Sequence, residues 1–266
     1  MRNSLVFLKL GGSLISVKDR PYTPRPDILE QLSGEIAEGH AQHPELKILL
    51  GHGSGSYGHP AANQFSTHLG VNTPEEWQGF VEVWRQARKL NTLVMATLHN
   101  AGLPAVAFPP SAAITARKRQ VITWNIEPIR AALAHGLMPV VYGDVVFDEV
   151  LGGTILSTED LFSHLTRNLS PERLYYAGLE PGVWEQYPER NRLVKVITPG
   201  NYPAMEESLK GSAATDVTGG MIGKVRQTLA LVQELPSLQA MIFSGETPGN
   251  LGKVLGGETV GTLIKA

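Results

Sequence analysis

The sequence predicts an α/β fold, with an open, mainly parallel sheet sandwiched between helices. Short apolar runs that are typical of buried strands alternate along the chain with segments whose apolar residues recur at helical spacing. This alternation indicates strands joined by crossover helices that cover both faces of a parallel sheet. Glycine-rich segments follow two of the strands, where such sheets commonly bind ligands. We expect a single domain over residues 1–266, because the chain contains neither a linker nor an internal repeat.

The first glycine-rich segment closes the first predicted strand. Residues 5–10 form an apolar run, and the segment Lys9–Ser13 (KLGGS) ends it. Asp27 and Glu30 have the spacing of a capping box and predict that the first helix begins there. Residues 46–50 are then the second buried strand. Because neighbouring parallel strands end at the same edge of a sheet, we expect the segments that follow the two strands to face one pocket.

The second glycine-rich segment, Gly51–Pro60, has glycine at positions 51, 53, 55 and 58. Glycine at this density permits positive φ and lets a ligand approach the main-chain amides. Pro60 is compatible with the first turn of a helix, so we expect a helix to begin near it. A strand, a glycine loop and a helix N-terminus together favour anion binding. We predict that this loop holds a phosphate and that His59 contacts it; the alternative for His59 is a simple role as helix cap.

The longest predicted helix begins at Thr73, with Pro74 at its first position and Glu76 as the capping-box partner. Its apolar stripe from Trp77 to Leu98 either packs in the core or lines, in part, an apolar substrate pocket. The other predicted strands cover residues 105–108, 138–142, 173–177, 239–243, 259–264 and a hairpin of 145–147 with 154–156. The other predicted helices begin at Asn125 and Ser157 or cover residues 205–209 and 221–235, with a helical turn from Pro248 and an irregular loop over 178–191.

Composition excludes several classes of function. The net charge of −2 and the pI near 6.5 give no electrostatic reason to expect nucleic acid or an anionic membrane as a partner. The absence of cysteine excludes disulfides, thiolate metal sites and cysteine nucleophiles. No apolar window is long enough for a membrane span or a signal peptide. We therefore expect a cytoplasmic protein.

Three lysines stand beside glycine-rich segments: Lys9, Lys18 and Lys224. A phosphoryl transferase needs positive charge and N–H donors around the group in transfer, and these residues would supply both. Each lysine also fits a plain structural or solvated role, so the spacing alone leaves both interpretations open. The pattern of a Walker-type loop does not occur. The segment Gly53-x-Gly55-x-x-Gly58 matches the glycines of a dinucleotide fingerprint, but it follows the second strand instead of the first, and no acidic residue ends the next strand.

Four motifs run in order along nearly the whole chain: Lys9–Ser13 (KLGGS), His52–Pro60 (HGSGSYGHP), Pro139–Asp144 (PVVYGD) and Asp216–Lys224 (DVTGGMIGK). Together they resemble the amino acid kinase superfamily, and most closely its isopentenyl phosphate kinase branch. The first and last are typical of the superfamily. The Gly58-His59 ending of the second segment points to the isopentenyl phosphate branch and its relatives, such as the fosfomycin kinases.

The resemblance implies the amino acid kinase fold and transfer of the ATP γ-phosphate to a small phosphate monoester, with ATP and Mg²⁺ as cofactors and no metal site formed by the protein itself. The implied catalytic residues are Lys9, Lys18, His59 and Lys224. The implied nucleotide-binding residues are Lys9, Gly11, Gly12, Ser13, Ser54, Gly55, Gly178, Gly182, Gly219, Gly220 and Lys224. The implied residues that bind the acceptor are Gly53, Ser54, Gly58, His59, Thr158, Glu159 and Asp160.

Two segments differ from the family pattern. The family usually has Ser-Gly-Asp-Asp at Ser157–Asp160 (STED), so either Glu159 fills the position of an acid that orients the lysines or Asp160 takes that role. The family typically has Thr-Asp-Val-Asp-Gly beside the nucleotide, where this chain has Ala177–Val183 (AGLEPGV). The second difference leaves the nucleoside preference open.

The resemblance also implies a division of the chain, a mode of assembly and a set of alternatives. Residues 1–165 would form an acceptor-substrate lobe and residues 166–266 a nucleotide-binding lobe, and two copies would associate as a homodimer. A fosfomycin-type kinase, or another small phosphate or phosphonate kinase, is the nearest alternative to an isopentenyl phosphate kinase. A non-catalytic nucleotide- or anion-binding module is an alternative from a different class.

Overall fold

A computed structural model describes residues 4–185, 189–209 and 220–266. Its strands are β1 (Leu5–Leu10), β2 (Lys47–His52), β3 (Ala105–Ala107), β4 (Ile114–Arg117), β5 (Gln120–Trp124), β6 (Met138–Tyr142), β7 (Asp144–Asp148), β8 (Gly152–Leu156), β9 (Arg173–Gly178), β10 (Val196–Ile197), β11 (Gln239–Ser244) and β12 (Thr262–Lys265). Its helices are α1 (Gly12–Ile15), α2 (Pro26–Gln42), α3 (Gly55–Phe65), α4 (Pro74–Asn100), α5 (Glu127–Ala134), α6 (Thr158–Leu169), α7 (Tyr202–Leu209), α8 (Gly220–Glu234) and α9 (Asn250–Leu255). Of the fourth motif, Asp216–Lys224, residues 216–219 lie outside the described residues.

The main sheet has the predicted parallel character. Within the described residues it has eight strands in the order β10-β12-β11-β9-β1-β2-β6-β3, and β11 with β12 is an antiparallel pair among otherwise parallel ones. In β1, Val6, Leu8 and Leu10 pack against the core that contains α2 and α4, whereas Phe7 packs with α6 and α8 on the opposite face. Because strand side chains alternate, Lys9 shares the face of Phe7 and is directed to the α6 side.

A second sheet was predicted only in part. Its strands run in the order β5-β4-β7-β8, and the β7–β8 hairpin confirms the prediction for residues 145–156. The sequence did not indicate β4 and β5, because both are short, β5 is mostly exposed, and a bulge between Thr115 and Ala116 interrupts their pairing. Short strands of this kind lack the continuous apolar run that marks a buried strand.

Helix starts tested the capping predictions. The boxes of Thr73 with Glu76 and of Ser157 with Asp160 are both present. The box of Asp27 with Glu30 was wrong: α2 begins at Pro26, and its N-cap Arg25 makes no side-chain cap bond. Because Pro26 occupies the first helical position, Asp27 lies inside the helix and cannot be its N-cap.

The position of Pro60 was also predicted wrongly. Pro60 lies inside α3, which begins at Gly55, so the second half of the glycine segment is already helical. His59 is therefore a residue of the helix interior and does not cap it. The start at Gly55 places the helix N-terminus next to the first glycine segment, nearer to the cavity described below than a start at Pro60 would.

No helix in the three described ranges has the length and apolar character required to cross a membrane. The main sheet draws β1, β2, β3 and β6 from residues before 165 and β9 to β12 from residues after it. The two-lobe division at residue 165 stays a prediction, as does the homodimer.

Candidate active site

A cavity of about 360 Å³ opens where β1 and β2 end, and residues from both halves of the chain line it. Sixteen predicted site residues reach its wall, and they are Lys9, Gly11, Gly12, Ser13, Lys18, Gly53, Ser54, Gly55, Gly58, His59, Thr158, Glu159, Asp160, Gly178, Gly220 and Lys224. Gly182 does not line it, because Gly182 packs against Thr262. Gly219 lies outside the described residues. The expectation that the glycine segments after β1 and β2 face one pocket is confirmed.

The two glycine segments are in direct backbone contact at the cavity floor. A Cβ on Gly12 would lie 2.3 Å from the main-chain nitrogen of Gly55, and Gly55 itself has a φ of +48°. The hydroxyl of Ser16 donates to the Gly12 carbonyl at 2.8 Å and accepts from the Ser56 N–H at 2.9 Å. Only residues without a side chain allow this approach. The loops after β1 and β2 are therefore held as one unit.

Lys9 and Glu159, which both line the cavity, form an ion pair whose side chains are largely buried. Burial opposes the ionisation of Glu159, but the charges of Lys9 and Lys224 outweigh it and hold the pKa of Glu159 below its usual range. The ammonium of Lys224 also lies 5.9 Å from the ring centroid of Tyr176. Glu159 thus faces two of the predicted catalytic lysines as a carboxylate.

Asp160, the alternative to Glu159, is occupied elsewhere. Its carboxylate accepts from the N–H and the hydroxyl of Ser157 at 2.9 and 2.7 Å. The side-chain amide of Gln227 donates to its other oxygen at 3.3 Å. The geometry therefore assigns the contact with Lys9 to Glu159, while Asp160 fixes the start of α6.

Thr158 connects α6 to the second glycine segment. Its hydroxyl donates to the carbonyl of His52 at 2.6 Å, and the N–H of Gly143 donates to the same carbonyl at 3.2 Å. These bonds fix the end of β2, after which Gly53 and Ser54 enter the cavity wall. Thr158 lines the cavity, but its hydroxyl is already engaged as a donor.

One side of the cavity is apolar. Ala62 of α3, Val83 and Ala87 of α4, and Ile155 and Leu156 of β8 line it. In the long helix α4, the stripe residues Leu90 and Leu98 pack in the core, whereas Val83 and Ala87, which the sequence did not select, line the cavity. A role of α4 in substrate binding stays a prediction. A small apolar group attached to a phosphate would match this wall.

Four further residues that line the cavity were not among the predicted site residues: His68, Arg119, Met221 and Gln227. Met221 and Gln227 belong to α8, one turn before and one turn after Lys224, so helical spacing offered a signal for them. His68 and Arg119 lie in connections that carry no motif. Their position depends on contacts between elements distant in the sequence.

Asp144 is a buried acid directly behind the cavity residue Gly143. One carboxylate oxygen accepts from the N–H of Val145 at 2.9 Å, and Ser111 is a further hydrogen-bonding neighbour of the carboxylate. Burial raises the pKa of Asp144 from 3.8 to about 7. The folded protein thus holds a proton here that the unfolded chain has released.

We expect Asp144 to make stability fall with rising pH. Between pH 4 and pH 7 the folded state binds more protons at this site than the unfolded state, so the free energy of unfolding decreases by up to about 4 kcal/mol as pH rises. Asp144→Asn removes this pH-dependent contribution to the free energy of unfolding. Thermal unfolding of the wild type and the variant at pH 5 and pH 8 measures the difference. The variant should gain stability relative to the wild type at pH 8. A difference that does not change with pH would contradict this account of Asp144.

Comparison with known proteins identifies the class to which this fold and cavity belong. The sequence profile of the amino acid kinase family matches residues 4–244. The chain therefore belongs to the amino acid kinase family.

Full-length relatives narrow the comparison. The chain is 38% identical to the isopentenyl phosphate kinase of Methanothermobacter thermautotrophicus over 98% of both chains. It is 31% identical to that of Methanocaldococcus jannaschii, again over 98% of both. A crystal structure of isopentenyl phosphate kinase superposes with a TM-score of 0.83 at 32% identity, over 98% of this chain and 100% of the other.

Proposed function

We infer that the protein is an isopentenyl phosphate kinase, which transfers the γ-phosphate of ATP to isopentenyl phosphate and gives isopentenyl diphosphate and ADP. One observation carries this function beyond the fold: a single cavity joins lysines and glycine loops to an apolar wall. The lysines and amides suit phosphate groups, and the wall suits a short hydrocarbon chain.

The acceptor phosphate binds, in this proposal, at the N-terminal end of α3. His59 and Lys18 line the cavity there, together with the main chain of Gly53. The positive end of the helix dipole and the N–H groups of its first turn favour a dianion. His59 donates a hydrogen bond to an acceptor oxygen, a contact of little use to an acceptor without a phosphate.

The residues around the first glycine segment fit the phosphates of ATP. Gly11, Gly12 and Ser13 line the cavity there, and Lys9 and Lys224 bring positive charge that Glu159 holds in place. ATP use follows from the family. The assignment of individual nucleotide contacts to Gly11, Gly12, Ser13, Gly178 and Gly220 is part of the proposal.

The chemical step requires positioning more than proton transfer. An oxygen of the acceptor phosphate forms a bond to the γ-phosphorus, while the bond from that phosphorus to the ADP oxygen breaks. The attacking oxygen already carries negative charge, so no strong base is needed. Lys9, Lys18 and Lys224 neutralise the charge that passes between the two phosphates.

Mg²⁺ is proposed to enter with the nucleotide. Within the described ranges, no group of three or more His, Cys, Asp or Glu side chains could hold a metal ion. Mg²⁺ binds readily to nucleotide phosphates and retained waters, and when bound it would neutralise their charge. The acids at the cavity do not compete for it, because Glu159 faces lysines and Asp160 caps α6.

The nucleotide-side loop differs from the family pattern in its chemistry. Gly178, Leu179 and Glu180 line the cavity. The carboxylate of Glu180 accepts from the indole N–H of Trp184 at 2.8 Å and pairs with Arg190 at 2.8 Å. We propose that this loop contacts the nucleoside through its main chain and Leu179, since its acid is already paired.

Release of ADP tests the function directly. We expect rapid ADP release, measured with a coupled assay, when ATP and isopentenyl phosphate are both present, slower release with dimethylallyl phosphate and little with fosfomycin. If fosfomycin is the preferred acceptor, the protein is a phosphonate kinase and the proposed function is wrong. ATP binding without ADP release from any acceptor would indicate a non-catalytic module.

A further inference from the structure

The turn between β4 and β5 has an unusual backbone for its residues. Lys118 and Arg119 both have positive φ, at 50° and 66°. Two-residue hairpin turns of this geometry are normally occupied by asparagine and glycine. Positive φ costs a residue with a side chain about 1–2 kcal/mol. Two long basic residues therefore occupy a turn that does not favour them.

The carboxylate of Asp148 holds this turn. It accepts from the N–H groups of Lys118 and Arg119 at 3.1 and 2.8 Å, and from those of Val150 and Leu151, both at 2.9 Å. Burial opposes ionisation of Asp148, but these hydrogen bonds outweigh it and keep its pKa below the usual range. One carboxylate thus joins the tips of the β4–β5 and β7–β8 hairpins and fixes the main chain of Arg119.

Three consecutive cations on this hairpin have different surroundings. Arg117 forms an ion pair with Glu149, with the guanidinium Nε 2.9 Å from the carboxylate. Lys118 does not line the cavity, whereas Arg119 does. Among the described residues, the side chain of Arg119 has neither a hydrogen bond nor an ion pair. Arg119, an exposed residue, is the part of the strained turn that lines the cavity.

The charge that the proposed reaction brings into the cavity matches this guanidinium. An acceptor phosphate and a triphosphate together carry several negative charges, and Glu159 already offsets part of the charge of Lys9 and Lys224. A planar guanidinium can bind two phosphate oxygens at once. Arg119 approaches from the second sheet, whereas Lys9 lies in β1 of the main sheet and His59 in the helix that follows β2.

Resting on the proposed function, we propose that Arg119 binds phosphoryl oxygens of the substrates in the cavity and that Asp148 is its positioning residue. The guanidinium donates N–H hydrogen bonds to these oxygens. The shared chemistry is that of a phosphate, in the acceptor or in the triphosphate of ATP, and steady-state kinetics distinguish the two.

Arg119→Gly and Lys118→Gly form a matched pair for the test. Each removes one positive charge and places glycine, which adopts positive φ without strain, in the same turn. We expect Arg119→Gly to lower kcat/KM by about 10-fold to 100-fold, the range expected for hydrogen bonds to a charged group. Lys118→Gly should stay within twofold of the wild type, and both variants should melt no lower than the wild type.

The kinetic constants identify the phosphate that Arg119 contacts. A raised KM for isopentenyl phosphate indicates that Arg119 contacts the acceptor, and a raised KM for ATP indicates that it contacts the donor. A lower kcat with unchanged KM values indicates contact with the phosphoryl group in transfer. Asp148→Asn should shift the same constant in the same direction, by a smaller factor. Equal kcat and KM values for Arg119→Gly and Lys118→Gly would overturn the proposal.

Calorimetric titration with isopentenyl phosphate and with ATP separates this proposal from the function on which it rests. A wild-type protein without turnover of isopentenyl phosphate would overturn the function. The role of Arg119 is overturned when Arg119→Gly binds both ligands as tightly as Lys118→Gly does and matches its turnover. Weaker binding of either ligand to Arg119→Gly alone supports it.

Discussion

Replacement of His59 by alanine is expected to lower kcat with isopentenyl phosphate by about 10²-fold, the effect of removing one preorganised donor from a developing charge. His59 lines the cavity from α3, beside the glycine segment that receives the acceptor in our proposal. Because this donor is directed to the acceptor phosphate, the KM for ATP should change by less than about threefold. Steady-state kinetics with each substrate varied in turn provide the measurement.

His135→Ala is the matched control for His59→Ala. His135 is an exposed histidine at the end of α5, and it does not line the cavity. The His135→Ala variant should have the same kcat and KM values as the wild type. Near-normal turnover in His59→Ala would remove this residue from the mechanism, and a large rise in the KM for ATP would move it to the donor side.

Gly12→Ala is expected to disrupt the site more severely than any surface change. The added Cβ would lie 2.3 Å from the nitrogen and 2.6 Å from the Cα of Gly55, so two backbone segments must separate. A shift of about 1 Å between reacting groups can cost about 10²-fold in rate. We expect kcat/KM to fall by at least that factor, with a loss of about 1–3 kcal/mol in the free energy of unfolding.

Gly34→Ala is the matched control for this substitution. Gly34 lies inside α2, and a Cβ there would have no heavy atom within 4 Å. Alanine in a helix interior is favoured over glycine by about 0.5–1 kcal/mol, so this variant should be as active as the wild type and slightly more stable. Full activity in Gly12→Ala would show that the contact between the two glycine loops is not needed for phosphoryl transfer.

Local sequence patterns predicted the parts of the fold that depend on near neighbours. The buried strands before the two glycine segments were predicted because an apolar run of five or six residues that ends in glycine is typical of a buried strand in an α/β protein. The Thr73 box was found because its two bonds form within three residues. The Asp27 box failed at the same spacing because Pro26 enters the helix first.

Contacts between distant segments could not be predicted in this way. The β4–β5 hairpin lacks an apolar run, and the placement of Arg119 depends on a carboxylate 29 positions further along the chain. Nothing local to Arg119 indicates that Asp148 holds its main chain. Tertiary bonds of this kind override the preference of the turn for asparagine and glycine.

The choice between Glu159 and Asp160 depends on both a local pattern and a contact between distant segments. Ser157 caps α6, and a capping box uses the residue three positions on, which is Asp160. Glu159 is then left free to face Lys9. The capping box at the start of α6 therefore indicated that Glu159 pairs with Lys9, although the family pattern alone left both acids open.

The central claim is that the cavity joins the γ-phosphate of ATP to an acceptor that is itself a phosphate. Phosphorus NMR of the protein with ATP, Mg²⁺ and isopentenyl phosphate tests it most directly. The account predicts that the monoester resonance disappears as two coupled diphosphate resonances grow, with ADP formed in equal amount. Consumption of ATP while the monoester resonance persists, or no change in either substrate, would contradict it.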